Sequence, residues 1–410
     1  MRVLCLDHEG GYGGSSRSLF HLIQNMDRSA LDVEVWCRRA GPIRERYAAI
    51  GVPVRVVPDM FKVSTVYRLS RNVLLFGQAL GQLWRAGRLR RDLVAAVNGR
   101  FDVVHFNHPN LFLLARWLRP RTRIPFTMHV RVMLEDLYEG TGGKRVSDFV
   151  NRHTSAAIAR WQTRTMARCI DWFAFITDNE RESFMRLGGY GPGKVIYNVA
   201  DSREEAFPPH PDIPRDGRFK IASLENFRWS RGTDRLADIA EALAKRGRRD
   251  FLFIVAGEMA LSGMLKGGLG AAARAGGNFT DYVEKRGLAD YFLFLGHVAS
   301  PEQVLAGSDV LVSLTRRVGP WGRAVIEAMT AARPVVAVGR WDRFVQHEVT
   351  GIVHERFDAG VFAQELIRLA DNRERCAAMG ATGRERVRRL CNGPDRAAEL
   401  FAVWENVRRR

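Results

Sequence analysis

Cysteine, lysine and long apolar runs are scarce in this chain, and each scarcity narrows what it can be. Five cysteines stand at 5, 37, 169, 376 and 391, an odd number with no paired spacing. That pattern excludes a disulfide framework and a cysteine-built zinc site, and it fits reduced, mostly buried thiols. No stretch approaches 18 uninterrupted apolar residues, so no membrane-spanning helix is expected. The opening MRVLCLDHEGG is a strand running into a loop, without the charged-then-apolar order of an export signal, so the expected location is the cytoplasm. No Asp-x-Asp pair offers a divalent metal its usual oxygen ligands, and no metal site is expected. Helix-turn-helix, zinc-finger and RNA-binding signatures are missing, as is any repeat of solenoid period.

What is present is a chain of 410 residues, 46% apolar, long for one core and comfortable for two. Its net charge is +18, from 63 basic and 45 acidic residues, and 56 of the basic residues are arginine. The arginines are spread along the chain, so nucleic acid is not an expected partner. An anionic membrane face and acidic substrates remain open.

Strands and helices alternate over the first 200 residues. VLCLD (3–7) reads as a buried strand, GGYGGSS (10–16) as a loop, and 17–26 as a helix with Leu19, Phe20, Leu22 and Ile23 on its apolar side. Further strands fall at 33–37, 52–58, 101–109, 124–131, 172–179 and 194–201, with helices over 71–97 and 144–167. This is the rhythm of a doubly wound parallel sheet, in which ligands gather at the C-terminal ends of the strands. His105 and His129 fall near two such ends, as site residues or as histidines closing a strand by hydrogen bonding. Arg85, Arg88, Arg90 and Arg91 cluster on the 71–97 helix, as a solvated face or as a contact with a membrane or an acidic acceptor. Residues 201–216 carry four prolines and many charges and read as a linker. The rhythm then restarts, with strands at 219–227, 251–258, 291–298 and 309–314 and a helix over 233–245. A Gly- and Ala-rich segment covers 259–277, and an Arg-rich helix closes the chain over 395–410.

The most informative stretch is SLTRRVGPWGRAVIEAMTAARPVVAVG, from Ser313 to Gly339. Gly319, Pro320 and Gly322 make a turn around Trp321, and a helix runs from Arg323 to Ala332 with Val325, Ala328 and Met329 on one face. Pro334 ends it, and Val335 to Val338 is a strand. A glycine-rich turn opening a helix presents free N–H groups and the positive end of the helix dipole, which suits a phosphate. Glu327, a turn inside the helix, can accept from a pair of sugar hydroxyls; a plain surface glutamate is the alternative.

This stretch resembles the nucleotide-sugar signature of retaining GT-B glycosyltransferases of glycosyltransferase family 4, written E-P-F-G-x-x-x-x-E-A-M-A-x-G-x-P-V-V. Pro320, Gly322, Glu327, Ala328, Met329, Pro334, Val335 and Val336 match, with Trp321 in the aromatic slot. FRWSRGTDRL (227–236) is similar to the family's G-R-L-x-x-x-K-G pattern, with Arg231 in the Lys slot and Arg228 a candidate for the missing Arg, whose slot holds Asn226. KVIYNVAD (194–201) resembles the strand that ends the family's first domain. Three departures stand out: Gly319 where the family has its first Glu, Ala332 where it has Gly, and Gly339, Arg340 and Arg343 where it has Gly-Gly and Glu.

The resemblance implies an α/β fold of the GT-B type: two Rossmann-like doubly wound parallel-sheet domains, 1–200 and 217–394, with an interdomain cleft and a C-terminal helix, 395–410, returning to the first domain. It implies transfer of a sugar from a nucleoside diphosphate donor, UDP- or GDP-linked, to a glycan or lipid-linked acceptor, with retention and without metal or cofactor. His129, Arg231 and Glu327 would carry the reaction. Gly13, Gly14, Arg228, Arg231, Gly319, Pro320, Trp321, Gly322, Arg323 and Glu327 would bind substrate. Loss of the first Glu, with Arg340 and Arg343 nearby, points to an altered donor such as an acidic sugar. The alternatives are a catalytically silent nucleotide-sugar binder and a nucleotide-sugar 2-epimerase.

Overall fold

The computed structural model describes all residues except 12, 61–75, 135–144, 201–206, 226–230, 258–260, 262–266, 317–321, 340–342 and 410. The chain divides into two compact units, Met1–Val199 with Cys391–Arg410, and Ala200–Leu390.

The first unit is built on seven parallel strands: β1 (Arg2–Asp7), β2 (Asp32–Cys37), β3 (Val54–Val56), β4 (Val103–Phe106), β5 (Phe126–Val130), β6 (Trp172–Phe175) and β7 (Gly193–Val195). Their order is β3-β2-β1-β4-β5-β6-β7. The central strands are buried on both faces, which is why they read as continuous apolar runs rather than alternating ones. One face packs on a cluster that includes Phe106, Phe126 and Phe173. The other packs on Val3, Leu19 and Ile23, and on Trp404 of the C-terminal helix Gly393–Arg408. Asn392 caps that helix by accepting from the amide of Asp395, and Pro394 fits its first turn, where no N–H is needed.

The second unit repeats the plan with six parallel strands: β8 (Phe219–Ser223), β9 (Phe251–Ala256), β10 (Phe292–Gly296), β11 (Val310–Ser313), β12 (Val335–Val338) and β13 (Gly351–His354), in the order β10-β9-β8-β11-β12-β13. Helices Ala359–Asp371 and Arg373–Leu390, which the sequence reading passed over, complete it; Asp358 caps the first by accepting from the amide of Val361.

Several strands are shorter than their apolar runs. The run 101–109 yields only Val103–Phe106, because Pro109 opens a short helical turn. The run 172–179 stops at Phe175, because Thr177 accepts from the amide of Asn179 and caps helix Asp178–Arg186. The run 194–201 pairs only through Val195. The first helix begins at Gly14 rather than residue 17, with Gly13 extended at its cap.

Candidate active site

Each sheet has one place where strand order reverses: between β1 and β4 in the first unit, and between β8 and β11 in the second. Loops leaving the C-terminal ends of such a pair diverge and leave a crevice, the preferred ligand position in open parallel sheets.

In the second unit this place is charged. Gly232 lies at φ +70°, and a Cβ there would meet the carbonyl oxygen of Leu314 at 1.9 Å, so the turn presses directly on the end of β11. Arg235 ties the two together by donating to the carbonyls of Leu314 and Thr315 at 2.9 and 3.0 Å, and Arg316 pairs with Asp234 at 2.5 and 2.6 Å. Arg231, just before that turn, is thereby set beside Gly322: its Nη1 lies 3.8 Å from where a Cβ on Gly322 would be. Gly322 is the cap of helix Arg323–Thr330 and supplies no side chain to its amides. The guanidinium and the open helix end together form an anion-holding corner. One turn further in, Glu327 is buried and accepts from Arg323 Nε at 3.2 Å. Arg231 also faces Glu225, with Nε–Oε2 and Nη1–Oε1 both 3.4 Å. Burial pushes the Glu225 carboxyl above its ordinary range, and Arg231 offsets only part of that.

In the first unit the corresponding place is a buried hydrogen-bonded network. Asn107, after β4, donates to Asp7 Oδ1 at 3.3 Å and to the carbonyl of Ser15 at 3.1 Å, joining β1, β4 and the first helix. Arg131, after β5, donates to Asn107 at 2.7 Å and to Asn198 at 2.9 Å. The rings of His8 and His108 stack at 3.9 Å. Burial pushes the Asp7 carboxyl up, but hydrogen bonding and charge from His8, with Ser16 and Asn107, outweigh it and hold the group below its ordinary range. Gly13 and Gly14 open the first helix beside this network. A Cβ on either meets nothing within 4 Å among the described residues, so packing of the unit does not require glycine at these positions.

Below the network runs a chain of rings. Trp404 Nε1 donates to His105 Nδ1 at 3.4 Å, and Thr127 Oγ1 lies 2.8 Å from the same nitrogen. The indole can only donate, so His105 Nδ1 accepts and its proton sits on Nε2. That proton goes to His129 Nδ1 at 3.1 Å, which leaves the His129 proton on its own Nε2. His129 Nε2 is buried and has no hydrogen-bond partner among the described residues. Burial, with the charge of Arg131, pushes His105 down to about 3 and holds His129 well below its ordinary value, so both rings are neutral near pH 7.

The structure therefore brings together Arg231, Gly322, Arg323 and Glu327 in the second unit, and holds Gly13, Gly14 and His129 in the first. Arg228, Gly319, Pro320 and Trp321 lie outside the described residues. Asp7, His8, Asn107, His108, Arg131, Asn198 and Glu225 were not singled out from sequence. Their common signal is a polar residue at the end of an apolar run, in LCLDH, HFNHP, MHVR, VIYN and ASLE.

Two Rossmann-type sheets with ligand-ready strand ends define a GT-B architecture. Residues 13–198 match the glycosyl transferase 4-like domain and residues 209–386 match glycosyl transferases group 1. The chain belongs to the GT-B glycosyltransferases. It is 30% identical over 193 residues to the lipopolysaccharide core biosynthesis mannosyltransferase LpsB of Rhizobium meliloti; the match spans 46% of this chain and 52%, about half, of that protein. Among solved structures it is similar to HepE of Anabaena in complex with UDP, with a TM-score of 0.71 and 18% identity over 98% of this chain and 100% of that one. It is also similar to sucrose-phosphate synthase from Thermosynechococcus elongatus, with a TM-score of 0.72 and 16% identity over 99% of both chains. At these identities the structural likeness speaks to fold alone.

Proposed function

We propose that the chain moves a sugar from a UDP- or GDP-linked donor to a glycan or lipid-linked acceptor, with retention at the anomeric carbon and without metal or cofactor. The observation that carries this reading is the corner in the second unit, where Arg231 stands beside the open end of helix Arg323–Thr330 and Glu327 lies one turn inside. Glycosyl transfer builds negative charge on the departing phosphate while the sugar becomes oxocarbenium-like. Fixed positive charge placed there in advance lowers that barrier. Arg231 and the first amides of the helix supply it, with Arg228 and residues 319–321 as neighbours in sequence. Glu327 accepts from the ribose hydroxyls. His129 presents a neutral Nε2–H, a donor for a sugar hydroxyl that costs about 1–3 kcal/mol to leave unsatisfied. Gly13 and Gly14 leave room for a ligand to approach the backbone.

Support for the donor class comes from relatives: HepE was crystallised with UDP and with UDP-glucose, and LpsB is a mannosyltransferase of the lipopolysaccharide core. Retention rests on the family 4 motif around Glu327. With Gly319 in place of a glutamate, the donor is an acidic or unusual sugar, and turnover of a neutral hexose donor with no preference for a uronic one would remove that part. No helix among the described residues is long and apolar enough to cross a membrane. A peripheral membrane contact is supported by helix Phe76–Val97, where Leu80 and Trp84 are 52% and 64% exposed next to Arg85, Arg90 and Arg91. Failure to bind anionic vesicles at low salt would remove it.

The deciding experiment is a thermal-shift panel of nucleoside diphosphates, followed by donor hydrolysis read by NMR for the anomer released, with and without chelator. Stabilisation by UDP or GDP, a retained anomer and indifference to chelator are expected. No stabilisation by any nucleoside diphosphate would end the proposal.

A further inference from the structure

Glu225 is the residue of the charged corner that the reading above leaves unused. In the G-R-L-x-x-x-K-G pattern its slot belongs to glycine, so a carboxylate there departs from the pattern. It sits two residues past the end of β8, with its side chain 18% exposed and aimed at Arg231. Both contacts between them are 3.4 Å. That is longer than the 2.7–2.9 Å of a tight charge-assisted pair, so the pair is loosely made and open to exchange. The remaining charges of the corner among the described residues are matched elsewhere: Arg323 with Glu327 on the helix after β11, and Arg316 with Asp234 between the end of β11 and the turn. Arg235 is spent on two carbonyls. Among the described residues, Arg231 is thus the cation that Glu225 answers to.

We propose that Glu225 is a proton-linked counter-anion of the diphosphate site: the donor's phosphates take its place on Arg231, and its carboxylate accepts one proton from solvent as they do. The inference rests on the donor site proposed above. A diphosphate brought against Arg231 removes the cation that favours the ionised carboxylate and adds negative charge beside it. Both changes favour the acid form, and partial burial already disfavours the ion. The balance is simple: carboxylate plus proton gives carboxylic acid, with no other bond made or broken. Binding coupled to uptake of a proton weakens as pH rises, by up to tenfold per pH unit when the linkage is complete.

The test is calorimetric titration of the full chain with UDP-glucose and GDP-mannose, from pH 6 to 8, in two buffers of different ionisation heat. Both phosphates of these probes are esterified and carry no proton that titrates in that range. The wild type is expected to take up as much as one proton per ligand and to bind more weakly as pH rises, by up to about tenfold per pH unit where the uptake is complete. Glu225→Gln, which keeps the shape and a hydrogen bond to Arg231, is expected to abolish the uptake and to bind several-fold tighter at pH 8. Binding by the wild type with no proton uptake and no pH dependence overturns the proposal while leaving the donor site standing; this outcome needs no variant. Equal uptake by Glu225→Gln overturns it as well. If neither nucleotide sugar binds the wild type at any pH, the donor site is refuted and the proposal with it.

Discussion

The two reversal points share one topology but use opposite chemistry. In the first unit the polar side chains at the strand ends are sealed: Asp7, Asn107, His129 and Arg131 are all buried and mostly answer one another across gaps of 24 to 100 residues. In the second unit Arg231 stands outside any α-helix or strand, 46% exposed and paired with a residue six positions away. A sealed network can set direction, because each group is held by several others and a neutral donor is worth most where water is absent. An exposed guanidinium can capture an anion, because it gives up little solvation in waiting for one. In the proposed function, the first unit orients the donor and the second captures its phosphates.

The largest test of that division is a matched pair of arginine deletions. Arg231→Ala should lower kcat/KM about 10²–10³-fold, the scale of losing one preorganised charge-stabilising group, while leaving the melting temperature near wild type. Arg131→Ala should instead lower the melting temperature. Asn107 and Asn198 each lose a buried donor, at about 1–3 kcal/mol apiece, yet the thermal shift from a nucleoside diphosphate should persist. If Arg131→Ala abolishes that shift without loss of stability, the division is wrong.

Acid should separate the units next. His105 has its folded-state pKa depressed to about 3, and His129 is depressed in the same direction. A depressed histidine stays neutral in the fold while the unfolded chain takes up a proton below about 6.5, so the unfolded state binds more protons in that window. The stability from neutral burial is complete above about pH 6.5 and drains away as pH falls towards 3, by about 1.4 kcal/mol per pH unit for each fully linked histidine. Hydrogen exchange at pH 4.5 should therefore show the first unit opening before the second. Replacing His105 and His129 together with residues that do not titrate should remove the difference.

Much of this was legible in the sequence, and the boundary of legibility has a physical cause. Strand runs and the helix Arg323–Thr330 follow from local periodicity, which a buried parallel sheet imposes residue by residue. Arg231, Gly322, Arg323 and Glu327 sit within two short motifs, so their convergence could be anticipated. The bond from Asn107 to Asp7 and the ring chain from Trp404 to His129 join residues 100 and 275 positions apart, and no local pattern records such pairs. Glu225 escaped for a different reason: a glutamate after a strand is unremarkable until its burial and its arginine are known. Helices Ala359–Asp371 and Arg373–Leu390 were passed over although their caps are plain to see, because no motif drew attention there.

A smaller effect sharpens the orienting role. Trp404→Phe keeps the packing of a large ring but removes the indole N–H that makes His105 Nδ1 an acceptor. Losing one long buried hydrogen bond should cost about 0.5–1.5 kcal/mol. The His105 proton is then free to move to Nδ1 and donate to Thr127, and His129 loses its fixed tautomer. Nitrogen-15 shifts of the two rings should report mixed tautomers. In the reading above kcat falls severalfold while the nucleotide Kd holds. Unchanged ring shifts would mean that Thr127 alone sets the order.

The smallest effect is a stabilisation placed at the quiet end of the same helix. Ala332, just past Arg323–Thr330, sits at φ +56°, where an L-residue crowds its own Cβ and glycine is the usual occupant of a helix end. The turn is not free to relax: the amides of Ala332 and Arg333 bond back to Met329 and Ala328 at 3.0 and 2.8 Å. The carbonyl of Ala332 also faces Gly380 so closely that a Cβ there would lie 2.0 Å away. The left-handed conformation costs alanine about 1–2 kcal/mol. Glycine recovers that but gains freedom in the unfolded chain, roughly 0.4–1 kcal/mol the other way. Ala332→Gly should therefore stabilise the second unit by about 0.5–1 kcal/mol and raise its melting temperature by roughly 1–4 °C for a body of this size. Because the change lies at the carboxyl end of the helix and the anion corner at its amino end, UDP or GDP affinity should stay the same. A change in affinity without a change in stability would show that the helix transmits strain from one end to the other, and capture in the second unit would then depend on packing as much as on charge.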